Sequence, residues 1–110
     1  MLWEEIIETE RQLDQALATF RLNGLEWVRA ENNYQMEKSK QIMRLKAEGF
    51  PITLIPQMVK GLDSVAELNL IRMEKEVVYK ANGEAIQVKK KELSVLQDQA
   101  NREWSDAARQ

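Results

Sequence analysis

Both prolines of this 110-residue chain and two of its four glycines fall in one stretch, residues 49–63, Gly-Phe-Pro-Ile-Thr-Leu-Ile-Pro-Gln-Met-Val-Lys-Gly-Leu-Asp. Proline removes a backbone donor and clashes with the preceding helical turn, so a long helix cannot run through this stretch. On both sides the chain is dominated by Ala, Leu, Glu, Lys, Gln, Arg and Met, the strongest helix formers, with no convincing period-two alternation. The expected fold is all-α: a long antiparallel helical hairpin, coiled-coil-like, with a short helix at its elbow. Its single domain comprises arm 1 (2–48), the elbow (49–63) and arm 2 (64–107).

The hydrophobic period supports two arms. Ile6, Leu13, Phe20, Trp27 and Tyr34 recur every seven residues, with Leu17, Ile42 and Leu45 interleaved. That is a coiled-coil seam. Glu4, Glu5, Glu8 and Glu10 sit near the positive end of arm 1, and Lys38, Lys40, Arg44 and Lys46 near its negative end. Gly49 is placed as its C-cap with Pro51 beyond. In the elbow, Thr53 is expected to cap a helix over 54–60 that Gly61 ends. Asp63 or Ser64 then starts arm 2, and Ser64-Val65-Ala66-Glu67 reads as a capping box.

Arm 2 carries its own seam: Leu68, Ile71, Tyr79, Ile86, Leu93, Leu96, Ala100 and Ala107. Folding the arms at the elbow pairs Leu45 with Leu68, Ile42 with Ile71, Tyr34 with Tyr79 and Trp27 with Ile86. Further out it pairs Phe20 with Leu93 and Ile6 with Ala107. The dipeptides Asn23-Gly24 and Asn82-Gly83 could instead be turns, giving four helices of about 20 residues. The heptad phase continues through both, so they are expected inside long helices, as kinks or as points of close packing.

Arms of roughly 65 Å at 1.5 Å per residue leave much apolar surface wet if each covers only the other. A second stripe, Val77, Ala81, Val88 and Val95 on arm 2 with Leu22 and Leu25 on arm 1, is the candidate oligomer interface. Ala18, Met36 and Met43 also lie off the main seam. The expected assembly is a dimeric four-helix bundle. The pairing above also sets Glu10 opposite Glu103 and Lys38 opposite Lys75, like charges that an antiparallel dimer centred near Gly24 and Lys89 would relieve.

Chemistry is sparse. The chain has no cysteine and no histidine, which removes disulfides, thiolate sites, the usual general base and the commonest metal ligand. No phosphate loop, dinucleotide motif or nucleophile elbow is present. No enzymatic activity, cofactor or metal is expected. A net charge of −2 gives no bulk attraction to nucleic acid. The helix-turn-helix cadence around the elbow offers a DNA-binding alternative, with Ser64, Asn69 and Arg72 as the reading set and Lys89-Lys90-Lys91 as a basic run. Asp63 and Glu67 oppose it. No apolar run reaches the roughly 18 residues of a membrane span, and the acidic start lacks a signal-peptide pattern, so a cytoplasmic location is expected.

The elbow's Phe50, Ile52, Leu54, Ile55, Met58 and Val59 are either a plug closing the bundle or a surface for a protein partner. Trp3 and Trp104 fall near the open end, where they are expected to clasp the termini.

The opening Leu2-Trp3-Glu4-Glu5-Ile6-Ile7-Glu8, with Arg11, Leu13-Asp14, Ala16-Leu17, Phe20-Arg21 and Asn23-Gly24, resembles a family of small, uncharacterised all-helical proteins of phages and prophages of Gram-positive bacteria. So do Gly49-x-Pro51-x-Thr53-Leu54-Ile55, Val65-Ala66-Glu67-Leu68 and Glu84-Ala85-Ile86-x-x-Lys89. The resemblance implies a phage-encoded protein of the bacterial host cytoplasm and brings no catalytic residues. It points to a non-enzymatic protein–protein interaction module acting on a host replication, recombination or defence protein. A DNA-associated protein, or a structural or scaffolding protein of the virion, is the alternative.

Overall fold

The computed structural model describes residues 1–109. They form three helices, α1 (Leu2–Ala47), α2 (Ile55–Gly61) and α3 (Asp63–Ala108), and no strand. α1 and α3 are 46 residues each and run unbroken through Gly24 and Gly83. Neither Asn-Gly dipeptide is a turn. No described helix is long and apolar enough to cross a membrane.

α1 ends as its sequence dictates. Gly49 takes φ +87°, its N–H donates to the Lys46 carbonyl at 3.1 Å, and the Phe50 N–H donates to Leu45 at 3.2 Å. This pair of bonds is the Schellman motif, which satisfies carbonyls that the helix end would orphan. A Cβ at Gly49 would meet no atom within 4 Å, so the cost of a side chain there is purely conformational. Gly49→Ala should therefore lower stability by about 1 kcal/mol, read as a shifted denaturation midpoint at unchanged slope.

The elbow differs from expectation in its caps. Leu54, in helical conformation, occupies the N-cap of α2 and makes no side-chain cap bond, so Thr53 is not the cap. The reason is local: the Pro51 carbonyl already accepts from the Leu54 and Ile55 N–H groups at 3.0 and 3.3 Å. Pro56 sits in the first turn, where its missing donor costs nothing. Leu62 alone, extended at φ −71° and ψ 132°, joins α2 to α3. Its carbonyl accepts from Ala66 at 2.8 Å, which starts α3 ahead of Ser64. The Ser64-to-Glu67 capping box is thus displaced into the helix, with Ser64 close enough to Glu37 to help hold its carboxyl low.

The helices pack as two units. The elbow unit is Asn23–Tyr79, comprising the C-terminal half of α1, all of α2 and the start of α3. Its core is Leu45, Ile55, Val59 and Val65, with Tyr34, Ile42, Met58 and Leu62 packed against it. The terminal unit pairs Met1–Leu22 with residues 80–109 and buries Ile6, Thr9 and Ile86.

Both units are antiparallel helix pairs, but their register is not the expected one. In the elbow unit Trp27 packs on Tyr79, with ring centroids 5.1 Å apart, where Ile86 was expected. In the terminal unit Phe20 lies against Gly83, where Leu93 was expected. α3 is slipped by two to three helical turns. α2 lies beside the last turns of α1, where the expected register put the start of arm 2, and α3 begins near Glu37 instead. The opposed like charges disappear with the old register. Lys75 reaches Glu26 at 3.0 Å, and Lys38 lies over the Tyr34 ring at 5.7 Å from its centroid. The electrostatic reason for centring a dimer near Gly24 and Lys89 falls away.

Candidate protein interface

Seven hydrophobic side chains are buried among the described residues, whereas nineteen large ones are exposed. For helices that could bury a continuous stripe, this imbalance locates the surfaces that matter.

The first surface is the elbow, where the structure divides the six candidate residues. Ile55 and Val59 are 3% and 1% exposed and belong to the core; they are the plug and leave the candidate surface. Met58 is half-buried against that core. Phe50, Ile52 and Leu54 are exposed, Ile52 at 75%, because the Schellman turn and the Pro51 turn carry them away from α1. Beside them a groove of about 370 Å³ runs between α1 and α2. Its apolar lining is Ile42, Ile52, Ile55, Pro56 and Val59, and its cationic lining is Lys38, Lys46 and Lys60.

The second surface is the stripe. Val77, Ala81, Val88, Val95, Leu22 and Leu25 are all exposed, as are Met36 and Met43. The third is the N-terminal face, where Trp3 and Ile7 are exposed beside Glu4 and Glu5. Trp104 is 78% exposed. Trp3 and Trp104 border one shallow depression with Ile6 and Ala100, but neither indole is covered, so the expected clasp is not made.

Of the residues a DNA-binding reading would use, Asn69, Arg72 and Lys89 are otherwise engaged. Arg72 donates to Asn69 at 2.7 and 3.1 Å and to Glu31 at 3.3 Å, and its guanidinium lies 5.0 Å from the Tyr34 centroid. Lys89 bonds Gln12 at 2.6 Å and Glu92 at 3.2 Å. The single-residue link at Leu62 is also shorter than the three- to four-residue turn of a helix-turn-helix. No cluster of three or more His, Cys, Asp or Glu able to hold a metal occurs among the described residues.

Glu8 and Glu37 are perturbed carboxylates. Glu8 is held below the ordinary carboxylate range by a hydrogen bond from Arg11. Glu37 is held low first by Gln41, which donates at 2.7 Å, and then by Ser64. A depressed folded value means the contribution is present above the unfolded pKa and lost as pH falls through the folded one. Ser64→Ala should raise the Glu37 titration midpoint toward the ordinary range, followed by carboxyl NMR, and leave Glu8 unmoved.

Sequence reasoning missed Thr9 and Ala30, and of the kinks or close packing it left open at Gly24 and Gly83 the structure shows close packing. Gly24 and Gly83 each lie directly beneath an aromatic ring: a Cβ would come 3.0 Å from Tyr79 Cε2 and 3.3 Å from Phe20 Cε2. A usable signal existed. Phe20-Arg21-Leu22-Asn23-Gly24 and Tyr79-Lys80-Ala81-Asn82-Gly83 share an aromatic, a base, an Asn and a Gly at the same spacing. Thr9 and Ala30, three residues after Ile6 and Trp27 and so on the seam face, are buried at 4% and 7% exposure. Trp27, by contrast, was placed on the seam, but its Nε1 is a buried side-chain donor left without a partner.

Comparison of the chain with family models, with curated proteins and with solved structures returns no match.

Proposed function

We propose that this chain is a non-enzymatic protein–protein interaction module of phage type that self-associates, with a dimer as the favoured state. In this reading it acts in the bacterial cytoplasm by binding a host replication, recombination or defence protein. The observation that carries it is the distribution of apolar side chains: few are buried within the chain and many are exposed in contiguous sets. Surplus faces of this kind are covered by association in the absence of a membrane span. The elbow supports it a second way. Its plug residues pack the turn into the core, and Phe50, Ile52 and Leu54 project from that packed base.

The test is capture of partners from host lysate by the wild-type chain and by a Phe50→Ser, Ile52→Ser, Leu54→Ser variant of unchanged helicity. Recovery of one host protein by the wild type and its loss with the variant supports the reading. Recovery of salt-sensitive DNA and no protein replaces it with the DNA-associated alternative. Incorporation into particles would instead mark a virion component.

A further inference from the structure

We infer that the groove between α1 and α2 receives the N-terminal helical face of a second copy of this chain. The inference rests on the self-association proposed above and names the surface that makes it.

The groove has an unusual charge state. Lys38, Lys46 and Lys60 line it, no carboxylate does, and none of the three makes an ion pair with a described carboxylate. Lys38 has only the Tyr34 ring. Between the lysines lie Ile42, Ile52 and Pro56, with Ile55 and Val59 forming the bottom. A complementary occupant carries apolar side chains along one helical line and carboxylates at its edges, the helix-in-groove mode of recognition.

The first turns of α1 have this pattern. Trp3 and Ile7 stand four residues apart on one face, 69% and 50% exposed. Glu10 and Asp14 continue the same face, both exposed and both without an ion pair among the described residues. Glu4 beside Trp3 has only the terminal ammonium, at 3.5 Å. Seating Trp3 and Ile7 on the isoleucines and Pro56 brings Glu4 and Glu10 to the lysines. Reciprocal seating of each N-terminus in the other copy's groove closes a two-fold dimer. The apolar contact supplies the affinity, and the rim charges set register and approach.

The experiment is sedimentation velocity of the full chain at micromolar concentration, comparing the wild type with three variants. Lys46→Glu with Lys60→Glu reverses the groove, Glu4→Lys with Glu10→Lys reverses the occupant, and the third carries all four changes. These side chains are exposed, and circular dichroism verifies that each variant keeps the wild-type helicity. The expected result is a wild-type dimer, roughly tenfold or greater loss of dimer affinity in each reversed variant, and recovery in the fourfold variant. Trp3→Ala should dissociate the dimer without affecting helicity. A wild-type dimer unmoved by the charge reversals overturns the groove assignment and leaves self-association to another face, such as the Val77–Val95 stripe. A wild-type monomer overturns both this inference and the proposed self-association. Retention of the dimer by the reversed variants together with their loss of a host protein gives the groove to that protein and overturns the second-copy assignment.

Discussion

Ile55→Asp is expected to unfold the elbow unit, while Leu54→Asp, one residue earlier, leaves it folded. Ile55 is 3% exposed within an apolar cluster with Leu45, Val59 and Val65. Desolvating a carboxylate in that cluster, together with the lost packing of an isoleucine, costs about 4 kcal/mol or more, which exceeds what a small two-helix contact can absorb. Leu54 is 53% exposed, so its replacement removes little buried area. Thermal circular dichroism with hydrogen exchange over residues 23–79 reads both outcomes. The expected pattern is loss of protection and a lowered transition for Ile55→Asp, and wild-type values for Leu54→Asp. Equal damage from the two would mean that the elbow is not divided into a plug and a tip.

The second large effect is expected at Gly24. A Cβ there approaches Tyr79 Cε2 to 3.0 Å, and the ring cannot recede freely because it packs on Trp27 at 5.1 Å. Replacing a helical glycine ordinarily gains about 1 kcal/mol of helix propensity. Gly24→Leu should nevertheless lose about 1–3 kcal/mol net, because overpacking forces side chains off their rotamers and moves the helices apart. Tyr79→Ala in the same chain should recover much of that loss, giving a coupling of about 1 kcal/mol or more in a double-mutant cycle. Chemical denaturation of the four proteins measures it. Additive effects would show that the glycine does not seat the ring. Gly83→Leu under Phe20 provides the matching test in the terminal unit, where the gap for a Cβ is 3.3 Å.

The fold class was legible because the strongest signals were local. Helix formers fill both arms, breakers are confined to residues 49–63, and the Gly49 cap follows directly from the need for a positive φ at C′. Heptad phase decided correctly that Asn23-Gly24 and Asn82-Gly83 lie within helices. Register was not legible from the same information. A seam that repeats every 3.5 residues fits almost as well after a slip of two or three repeats, so hydrophobic pattern alone leaves several pairings nearly equivalent. What selects the observed one is shape and charge: Phe20 over Gly83, Tyr79 over Gly24, Lys75 at Glu26 and Arg72 at Glu31. These contacts join residues far apart in sequence and are invisible to a periodicity count, although the repeated aromatic-base-x-Asn-Gly motif was a clue.

The elbow was legible in composition and not in detail. Ile55, Met58 and Val59 stand at i, i+3 and i+4 on one face of α2, while Phe50, Ile52 and Leu54 precede the helix, so the six divide between core and surface at the helix start. Which residues went inside depended on α2 lying beside α1 and not beyond its end. That placement also removed Thr53 from the cap and created the lysine-lined groove, whose cationic residues come from α1 and α2 and do not form a motif in sequence. The apolar stripe Val77, Ala81, Val88 and Val95 was readable because exposure on a long helix follows its period directly.

The central claim is that these exposed apolar sets are covered by association. Sedimentation equilibrium of the unmodified full chain, over concentrations from below to well above micromolar, measures it most directly. The account predicts a reversible monomer–dimer equilibrium whose average mass rises with concentration to twice that of the chain. A single species of monomer mass at every concentration would contradict it.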